Sequence, residues 1–375
     1  MNNLNIVIFG LSITSSWGNG HATTYRSLVK ALAHRGHRLT FCEKDVPWYA
    51  ANRDLAEPPY CRTVLYRSIG ELADLEKTIA EADLVVLGSY VGCAEQIAAF
   101  VKRLTPACFA YYDIDTPVTL EKLARGDYEY LHPRLIPLFD MYWSFTGGPI
   151  LVLLETRYRA RRALPLYCSV DPDLYYPETS ETGSGGRSVT LGYLGTYSAD
   201  RQPTVDELLI KTARAAPDAR FCMAGAQYPV DIQRPDNVEA ISHIPPWQHR
   251  GFYNSQRFTL NVTRRDMISA GFSPSVRLFE AGACGTPVIS DSWPGLDSFF
   301  KVGEEILVAR TSRDVLGYLA MGEEERRKIA EHFRHKVLGA HTAGHRALQV
   351  EQYLREYSAG LRKDWDDWGD RDAAA

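Results

Sequence analysis

Short apolar segments of strand length alternate with helical patterns through the first half of the chain. Residues 4–10 are apolar and β-branched and end at a glycine, which predicts a buried strand. Further segments of this kind predict strands at 38–42, 84–88, 108–112 and 141–145. A helical pattern at 94–104 separates two of them. Because strands and helices alternate, the pattern predicts a parallel sheet with helices on both faces.

The alternation restarts after a polar, glycine-rich segment at 178–187, which predicts a linker or an exposed loop. Strands are predicted at 189–194, 220–224, 258–262 and 287–290, and helices near 204–214, 275–283, 323–336 and 345–357. The sequence therefore predicts an α/β fold with two Rossmann-like doubly wound domains. The predicted bounds are 1–170 for the first domain, 171–188 for the linker, 189–340 for the second domain, 341–360 for a final helix and 361–375 for a tail.

Composition narrows the class of protein. The 375 residues are 45% hydrophobic and 23% charged, as in ordinary globular domains, and the net charge of -4 shows no basic domain of the kind that binds nucleic acid. The seven cysteines are dispersed and form no CxxC pair, which argues against a disulfide framework or a zinc site. The sequence has no secretory signal pattern and no apolar run near the roughly 20 residues of a membrane span, so we expect a cytoplasmic protein.

The loop after the first predicted strand carries two glycines and a histidine. Open α/β sheets bind ligands at the carboxyl ends of their strands, so this loop is a candidate site. Gly18 and Gly20 allow a ligand to approach the backbone closely, and His21 can act as a general base or bond a sugar hydroxyl. The alternative is a turn with a capping residue. The third glycine of a GxGxxG fingerprint is missing, which disfavours an NAD-dependent enzyme.

Two aspartates follow the strand predicted at 108–112. Asp113 and Asp115 form a D-x-D pattern and could point into a cleft as catalytic groups. Paired aspartates after a strand often serve as turn and N-cap residues, which disfavours metal binding by this pattern. The second D-x-D, at Asp171 and Asp173, favours a structural role more strongly.

The first strand of the second half leads into a loop suited to phosphate. Gly195 permits close backbone approach, Thr196 offers a hydroxyl, and Arg201 can bind phosphate with two parallel hydrogen bonds. The helix that follows presents its N-terminus, which favours an anion. The alternative is a surface arginine that follows a helix cap.

The segment 271–290 carries the strongest signal. Arg277 and Glu280 are three residues apart and share one face of a predicted helix. An arginine suits a diphosphate, and a carboxylate suits the two hydroxyls of a ribose. Small residues at Ala281 and Ala283 allow tight packing beneath a ligand. The alternative is an exposed ion pair between the two charged side chains, which would contribute little.

The stretch Arg277-Leu-Phe-Glu280-Ala-Gly-Ala-Cys-Gly-Thr-Pro-Val-Ile289 resembles the donor-site helix of glycosyltransferases with the GT-B fold. In the large retaining family a Glu-x7-Glu motif lies here. Glu280 matches its second glutamate, which binds the nucleotide's ribose, whereas the first would fall at Phe272. Ser273, Ser275 and Arg277 make the segment more similar to the CgeB-like branch. The stretch 169–177 resembles the interdomain segment of the family, and 341–346 resembles the C-terminal His-Thr…Arg pattern of CgeB-like chains.

The resemblance implies two Rossmann-like domains that face a central cleft, with the last helix crossing back to the first domain. The donor nucleotide would bind the second domain, through Gly195, Thr196, Arg201, Ser273, Ser275, Arg277 and Glu280. In the family an arginine and a lysine bind the donor diphosphate. Here Arg201 stands at the lysine position and Thr196 at the arginine position. The acceptor would bind the first domain, through Gly18, Gly20, His21 and Arg26.

The predicted activity is transfer of a hexosyl or deoxyhexosyl unit from a nucleoside-diphosphate sugar to a hydroxyl of a carbohydrate or metabolite. The nucleotide sugar is a co-substrate, and we expect no further cofactor, no metal and no nucleic acid partner. A retaining reaction is favoured, with Arg201 stabilising the leaving diphosphate. An inverting reaction would need a base, for which His21, Asp113 and Asp115 are the candidates.

Two alternatives stay open. A nucleotide-sugar 2-epimerase has the same fold and needs no acceptor. A noncatalytic nucleotide-sugar-binding protein is favoured by the absence of the first glutamate, at Phe272, and by Thr196 in place of a cation.

Overall fold

The computed structural model describes residues 3–18, 20–178, 187–230 and 232–372, with side chains up to residue 360. Residues 179–186 of the predicted linker lie outside the described residues, as do Asn19 of the first glycine loop and the end of the predicted tail.

The first half of the chain supplies a seven-stranded sheet. Its strands are β1 (Asn5–Gly10), β2 (Arg38–Lys44), β3 (Arg62–Tyr66), β4 (Leu84–Gly88), β5 (Phe109–Asp113), β6 (Met141–Ser144) and β7 (Ala163–Pro165). The α-helices are α1 (His21–His34), α2 (Pro47–Ala50), α3 (Glu76–Ala80), α4 (Ala94–Leu104), α5 (Thr116–Ala124) and α6 (Pro149–Thr156). Two 3₁₀ helices span Ile69–Leu75 and Pro133–Leu138.

The strand order in this sheet is β3-β2-β1-β4-β5-β6-β7. β1 pairs in parallel with β2 and with β4, so that Ile6 lies opposite both Leu39 and Leu84. The residues of β4 and β5 are buried throughout. A strand that is covered on both faces has a nearly continuous run of apolar residues, and this run allowed both strands to be predicted from the sequence.

The second half supplies a six-stranded sheet. Its strands are β8 (Val189–Leu194), β9 (Phe221–Ala224), β10 (Val238–Ile241), β11 (Gln256–Asn261), β12 (Val288–Ser290) and β13 (Leu307–Val308). The α-helices are α7 (Gln202–Val205), α8 (Lys211–Ala215), α9 (His249–Asn254), α10 (Arg265–Ala270), α11 (Val276–Ala283), α12 (Leu296–Phe299), α13 (Ser312–Leu319), α14 (Glu323–Ala340) and α15 (Ala343–Asp372). A π-helical turn, Asp206–Ile210, joins α7 to α8, and Pro246–Gln248 is a 3₁₀ helix.

All recorded pairs of the second sheet are parallel, in the order β10-β9-β8-β11-β12-β13. One apolar cluster joins the sheet to α11 and α14, and a second joins it to α7, α8 and α13. A Cβ on Gly282 would lie 2.6 Å from Val337 and 3.0 Å from Phe333. The absence of a side chain at Gly282 therefore allows α11 to pack closely against α14.

Four strands were not predicted, namely β3, β7, β10 and β13. Each lies at an outer edge of its sheet. The two longer ones, β3 and β10, keep exposed or half-buried residues, so neither shows the apolar run of a central strand.

The chain divides into two compact units. The first comprises 1–112, 130–142 and 343–375, and the second comprises 113–129 and 143–342. Within the first unit α15 packs against α1. Its Glu351 accepts hydrogen bonds from Arg35 Nε at 2.5 Å and lies 2.9 Å from His37 Nε2. The predicted bounds place residues 113–129 and 143–170 in the first domain, whereas in the structure these segments group with the second unit. The predicted α/β fold with two Rossmann-like parallel sheets is confirmed.

Candidate active site

Arg277 lies at the carboxyl edge of the second sheet, in the first turn of α11. Its Nε donates to the Leu194 carbonyl at 2.6 Å, and its Nη1 donates to Asn261 Oδ1 at 2.8 Å. The guanidinium lies over the ring of Tyr193, 5.4 Å from the centroid. The side chain is only 9% exposed. The ends of β8 and β11 therefore fix this cation in one orientation.

Arg201 is a second buried cation in the same region. It is 7% exposed and precedes α7. One terminal nitrogen, Nη2, donates to the carbonyl of Thr196, and Nε has no hydrogen-bond partner. Burial lowers the pKa of Arg201, and the positive charges of Arg277 and Arg264 lower it further. The side chain is thus held as a cation in surroundings that disfavour a cation.

Neither arginine has a carboxylate within 4.0 Å among the residues that the structure describes. A buried charge normally has an opposite charge as its partner, because removing it from water is costly. Gly195 lies beside these cations, since a Cβ at that position would be 3.1 Å from Arg277 Nη2. Tyr228 closes the loop by donating from its hydroxyl to the Gly195 carbonyl at 3.1 Å. The arrangement is chemically suited to an anion.

Asn261 was not predicted, although it orients Arg277. Its Nδ2 donates to Ser290 Oγ at 3.0 Å and to Thr263 Oγ1 at 3.3 Å. Thr263 in turn donates to Asp291 from its backbone nitrogen and its hydroxyl, at 2.9 and 2.7 Å. Burial raises the pKa of the Asp291 carboxyl, against these hydrogen bonds. A polar network across the ends of β11 and β12 therefore supports the Arg277 guanidinium.

Glu280 faces a different set of partners. It is 5% exposed, and its Oε2 accepts from the Tyr253 hydroxyl at 3.0 Å and lies 3.8 Å from His249 Nδ1. Burial alone would raise the pKa of Glu280, but His249, Tyr175 and Tyr253 outweigh it and hold the pKa below its ordinary value. Burial likewise acts to lower the pKa of His249, and Glu280 outweighs it, so that this pKa is raised. The pairing therefore favours the ionised form of Glu280 and the protonated form of His249.

The alternative of an exposed Arg277–Glu280 ion pair does not hold. Both side chains are buried, and within the described residues they bind separate partners. The sequence pattern did not predict a role for His249, Tyr175 or Tyr253. His249 and Tyr253 are four residues apart on α9, a helical spacing that could have drawn attention to them.

The predicted serines lie near the N-terminus of α11. Ser273 accepts from the Thr146 hydroxyl at 3.1 Å. Ser275 is the N-cap residue and makes no side-chain cap bond, and Arg277 Nη1 is 3.5 Å from its Oγ. Thr196 is exposed, with its carbonyl turned to Arg201. Gly195, Thr196, Arg201, Ser275 and Arg277 are thus brought together.

The glycine loop after β1 belongs to the first unit. Gly18 has a φ of +66°, and both it and Gly20 are exposed. His21 begins α1, is 7% exposed, and packs edge-on against the ring of Tyr90 with centroids 5.5 Å apart. Arg26 lies in the second turn of α1 and forms an ion pair with Asp54, with Nη1 and Nη2 at 2.9 and 2.7 Å from the two carboxylate oxygens.

Asp113 and Asp115 lie at the start of α5. Asp113 is fully buried, and its Oδ1 accepts from the Asp115 backbone at 3.3 Å and from the Thr119 hydroxyl at 2.8 Å. Asp115 is the N-cap residue of α5. These contacts favour the turn-and-cap interpretation for Asp113.

The described residues include no group of three or more histidine, cysteine, aspartate or glutamate side chains that could hold a metal ion. They also include no helix with the length and apolar character of a membrane span.

Comparison with known proteins bears on this arrangement. Residues 201–352, which include Arg201, Arg277 and Glu280, match the model of a family described as glycosyl transferase-like. No curated protein sequence matches the chain.

Solved structures match over nearly the whole chain. Sucrose-phosphate synthase from Thermosynechococcus elongatus is 16% identical with a TM-score of 0.65, and the match covers 95% of this chain and 99% of that one. Anabaena HepE, solved in complex with UDP and glucose, is 12% identical with a TM-score of 0.67, covering 94% and 100%. The catalytic domain of Arabidopsis thaliana starch synthase IV, bound to ADP and acarbose, is 12% identical with a TM-score of 0.63, covering 95% and 100%. The chain therefore shares the fold of these glycosyltransferases.

Proposed function

We propose that this protein is a glycosyltransferase that moves a sugar from a nucleoside-diphosphate sugar to an acceptor hydroxyl. The observation that carries the proposal is the pair of buried arginines, Arg201 and Arg277, which have no carboxylate partner among the described residues. The family match of residues 201–352 agrees with the predicted enzyme class. Because structural neighbours were solved in complex with UDP or ADP, we expect a nucleoside diphosphate to be the anion that these arginines bind.

In this proposal the two arginines bind the diphosphate of the donor. The bond from the sugar C1 to the phosphate oxygen breaks with its electron pair, so negative charge grows on the leaving diphosphate. The acceptor oxygen forms the new bond to C1. Cations already fixed at the place where charge develops need no rearrangement during the reaction, which makes this stabilisation effective.

Arg277 suits this role because its orientation is set before any ligand arrives. Leu194 and Asn261 hold two of its nitrogens, and Ser290 holds Asn261. The burial that disfavours the two cations also strengthens their attraction for an anion.

Glu280 is proposed to bind the ribose of the nucleotide. A carboxylate has about four acceptor positions, and the recorded partners leave capacity for a ribose hydroxyl. Its lowered pKa keeps it in the acceptor form. Ser273 and Ser275 would line the same side of the site.

The finer features stay proposals. The acceptor would bind near Gly18, Gly20, His21 and Arg26 of the first unit. A retaining reaction, in which the acceptor proton passes to the leaving phosphate, needs no protein base. An inverting reaction would use His21, Asp113 or Asp115. Arginines in place of a metal would make the activity independent of Mg²⁺, so EDTA is expected to leave it intact. Membership of the CgeB-like branch and a cytoplasmic location are likewise proposals.

The first test is thermal stabilisation of the wild type by UDP, GDP, dTDP, ADP, CDP and NAD. A ligand at about 100 times its Kd stabilises a protein by roughly 2.7 kcal/mol, which shifts Tm by a few degrees. We expect one nucleoside diphosphate to stabilise the wild type and to lose most of this effect in Arg277→Gln.

The exposed arginine substitution Arg327→Gln is the matched control and should keep the full shift. Transfer or hydrolysis of the corresponding nucleotide sugar would then establish turnover. Binding without turnover on any acceptor would favour a noncatalytic binding protein, and isomerisation of the donor alone would favour an epimerase. Stabilisation by NAD alone would refute the proposal.

A further inference from the structure

Helix α6 exposes an apolar face. The first six residues of the helix, 149–154, are all apolar, yet only Leu154 is buried. Val152 is 60% exposed, and Pro149 is exposed as well. These two residues are three apart and share one face of the helix. A helix at the surface of a globular protein normally carries polar or charged residues on its outer face, so this face differs from the usual pattern.

The fold of the second unit does not account for the apolar face. Neither of the two apolar clusters described for the second sheet contains a residue of α6. The two polar side chains of the helix are bonded to backbone atoms. The Thr156 hydroxyl donates to the Val152 carbonyl at 2.8 Å, and the Glu155 carboxylate accepts from the Ala163 nitrogen at 2.9 Å. The outer surface of α6 is therefore mainly hydrocarbon.

Positive charge follows directly after this helix. Four of the six residues 157–162 are arginines. Arg157 and Arg159 are exposed, and among the described residues neither has a carboxylate within 4.0 Å. Arg159 has a φ of +61°, and the next nitrogen, of Ala160, donates back to the Leu154 carbonyl at 3.0 Å. This reversal of the chain holds the two cations at the end of the apolar helix.

We propose that the α6 surface, formed by Pro149, Val152, Arg157 and Arg159, docks the protein on an anionic lipid membrane. Apolar side chains of an interfacial helix enter the boundary between headgroups and acyl chains. Arginines beside them pair with lipid phosphates and are attracted by the negative surface potential. The inference goes beyond the proposed function and does not depend on it, because it concerns a different surface and needs no nucleotide.

The charges favour a lipid surface over other occupants. In a two-fold symmetric dimer the same patch contacts itself, which would bring the arginines of both copies close together. A nucleic acid would satisfy the arginines but would leave the apolar face of α6 uncovered. An anionic bilayer offers a partner to both parts of the surface. Because α6 has only eight residues, we expect weak and reversible binding.

The test is cosedimentation of the full chain with vesicles. One set of vesicles contains phosphatidylcholine alone, and the other also contains about 30% phosphatidylglycerol. We expect wild type to bind the anionic vesicles more tightly and to dissociate as NaCl rises from about 0.1 M to about 0.5 M. Val152→Asp and the double variant Arg157→Gln/Arg159→Gln should each bind the anionic vesicles about tenfold more weakly.

Matched controls change the same residue types elsewhere in the second unit. Val230→Asp replaces a fully exposed valine, and Arg214→Gln/Arg327→Gln removes two exposed arginines from α8 and α14. Both controls should bind the anionic vesicles as tightly as wild type. This comparison separates the α6 surface from a general effect of net charge.

Three results would overturn the proposal. The first is that wild type does not sediment with the anionic vesicles. The second is that the control variants weaken binding as much as the α6 variants, which would mean that net charge alone is responsible. The third is that sedimentation velocity shows a dimer that Val152→Asp dissociates, since the α6 surface would then bind a second copy of the chain.

Discussion

Two strand-to-helix segments occupy equivalent places in the two halves of the molecule. The arginines that follow their loops differ in whether a carboxylate lies within ion-pair distance. Each follows the first strand of its half, β1 or β8, and leads into the first helix of that half. In the first half, Arg26 lies in the second turn of α1, after the loop, and both of its terminal nitrogens donate to Asp54. In the loop after β8, Arg201 is more deeply buried, yet it has no carboxylate partner among the described residues.

The carboxylates explain this contrast. The Glu43 carboxylate of β2 accepts from the nitrogens of Ile13 and Thr14, at 2.7 and 2.9 Å, and shapes the first loop from within. Asp54 supplies the carboxylate that pairs with Arg26. Among the described residues no carboxylate lies within 4.0 Å of Arg201, although its positive charge helps to lower the pKa of the neighbouring Asp200. An arginine whose charge is matched inside the fold stabilises structure, whereas one whose charge is unmatched is available to a ligand.

The largest effect on stability is expected where the charge is matched. Burial acts to raise the pKa of Asp54, but Arg26 and Ser16 outweigh it and hold the pKa well below its ordinary value. Asp54→Asn should destabilise the protein by about 1–2 kcal/mol, because it weakens charged hydrogen bonds to partly buried groups. Chemical denaturation checks this. Nucleotide affinity should be unaffected, and a loss of nucleotide affinity as large as that of Arg277→Gln would erase the distinction between the two loops.

Replacement of Arg201 should have the opposite effect on the stability of the protein. Arg201→Leu removes a buried charge that burial and two neighbouring arginines oppose. We expect the ligand-free variant to unfold at a higher temperature, by about 1 kcal/mol of stability, and to lose stabilisation by nucleoside diphosphates. The exposed Arg327→Leu is the control for loss of an arginine. If Arg201→Leu lowers Tm instead, Arg201 is a structural residue like Arg26.

The smallest effect concerns the Glu280–His249 pair. His249 has a raised pKa, so its contribution is full below its unfolded value of about 6.5 and is lost as pH rises through the folded value. Glu280 has a lowered pKa, so its contribution is present above about pH 4.3 and is lost only in acid. The Tm advantage of wild type over His249→Gln should therefore be largest near about pH 5–6 and should shrink toward about pH 9.

The exposed His332→Gln is the matched control for this pH series, and its difference from wild type should not follow the same trend. A constant advantage of wild type across the range would mean that the two side chains are not an ion pair.

The fold was predictable where burial is complete. Every central strand was located from its apolar run, and the four missed strands, β3, β7, β10 and β13, are the outer strands of their sheets. An outer strand has a partner on one side only, and it keeps exposed positions that resemble a loop in the sequence. The helices at 94–104 and 323–336 were also found, since their apolar faces recur with helical spacing.

The candidate site was predictable only in part. Arg201 and Arg277 stood out because arginines next to glycines and a helix start suit phosphate. Their closest partners did not stand out, since Arg277 is 83 residues from Leu194 and 16 from Asn261. The pairing of Glu280 with Tyr253 spans 27 residues and joins two helices. No local pattern marks such contacts.

The sequence by itself determined the two α/β halves, the loops that can carry ligands and the residue types suited to a diphosphate. These depend on local periodicity and on chemistry that each residue carries wherever it lies. Only the tertiary structure decided which charges are matched. Arg26 and Arg201 look alike in the sequence, and their difference lies in a carboxylate 28 residues away that reaches the first and in the absence of any such partner, among the described residues, for the second. Electrostatic free energy depends on distance and burial in space, which the order of residues along a chain does not express.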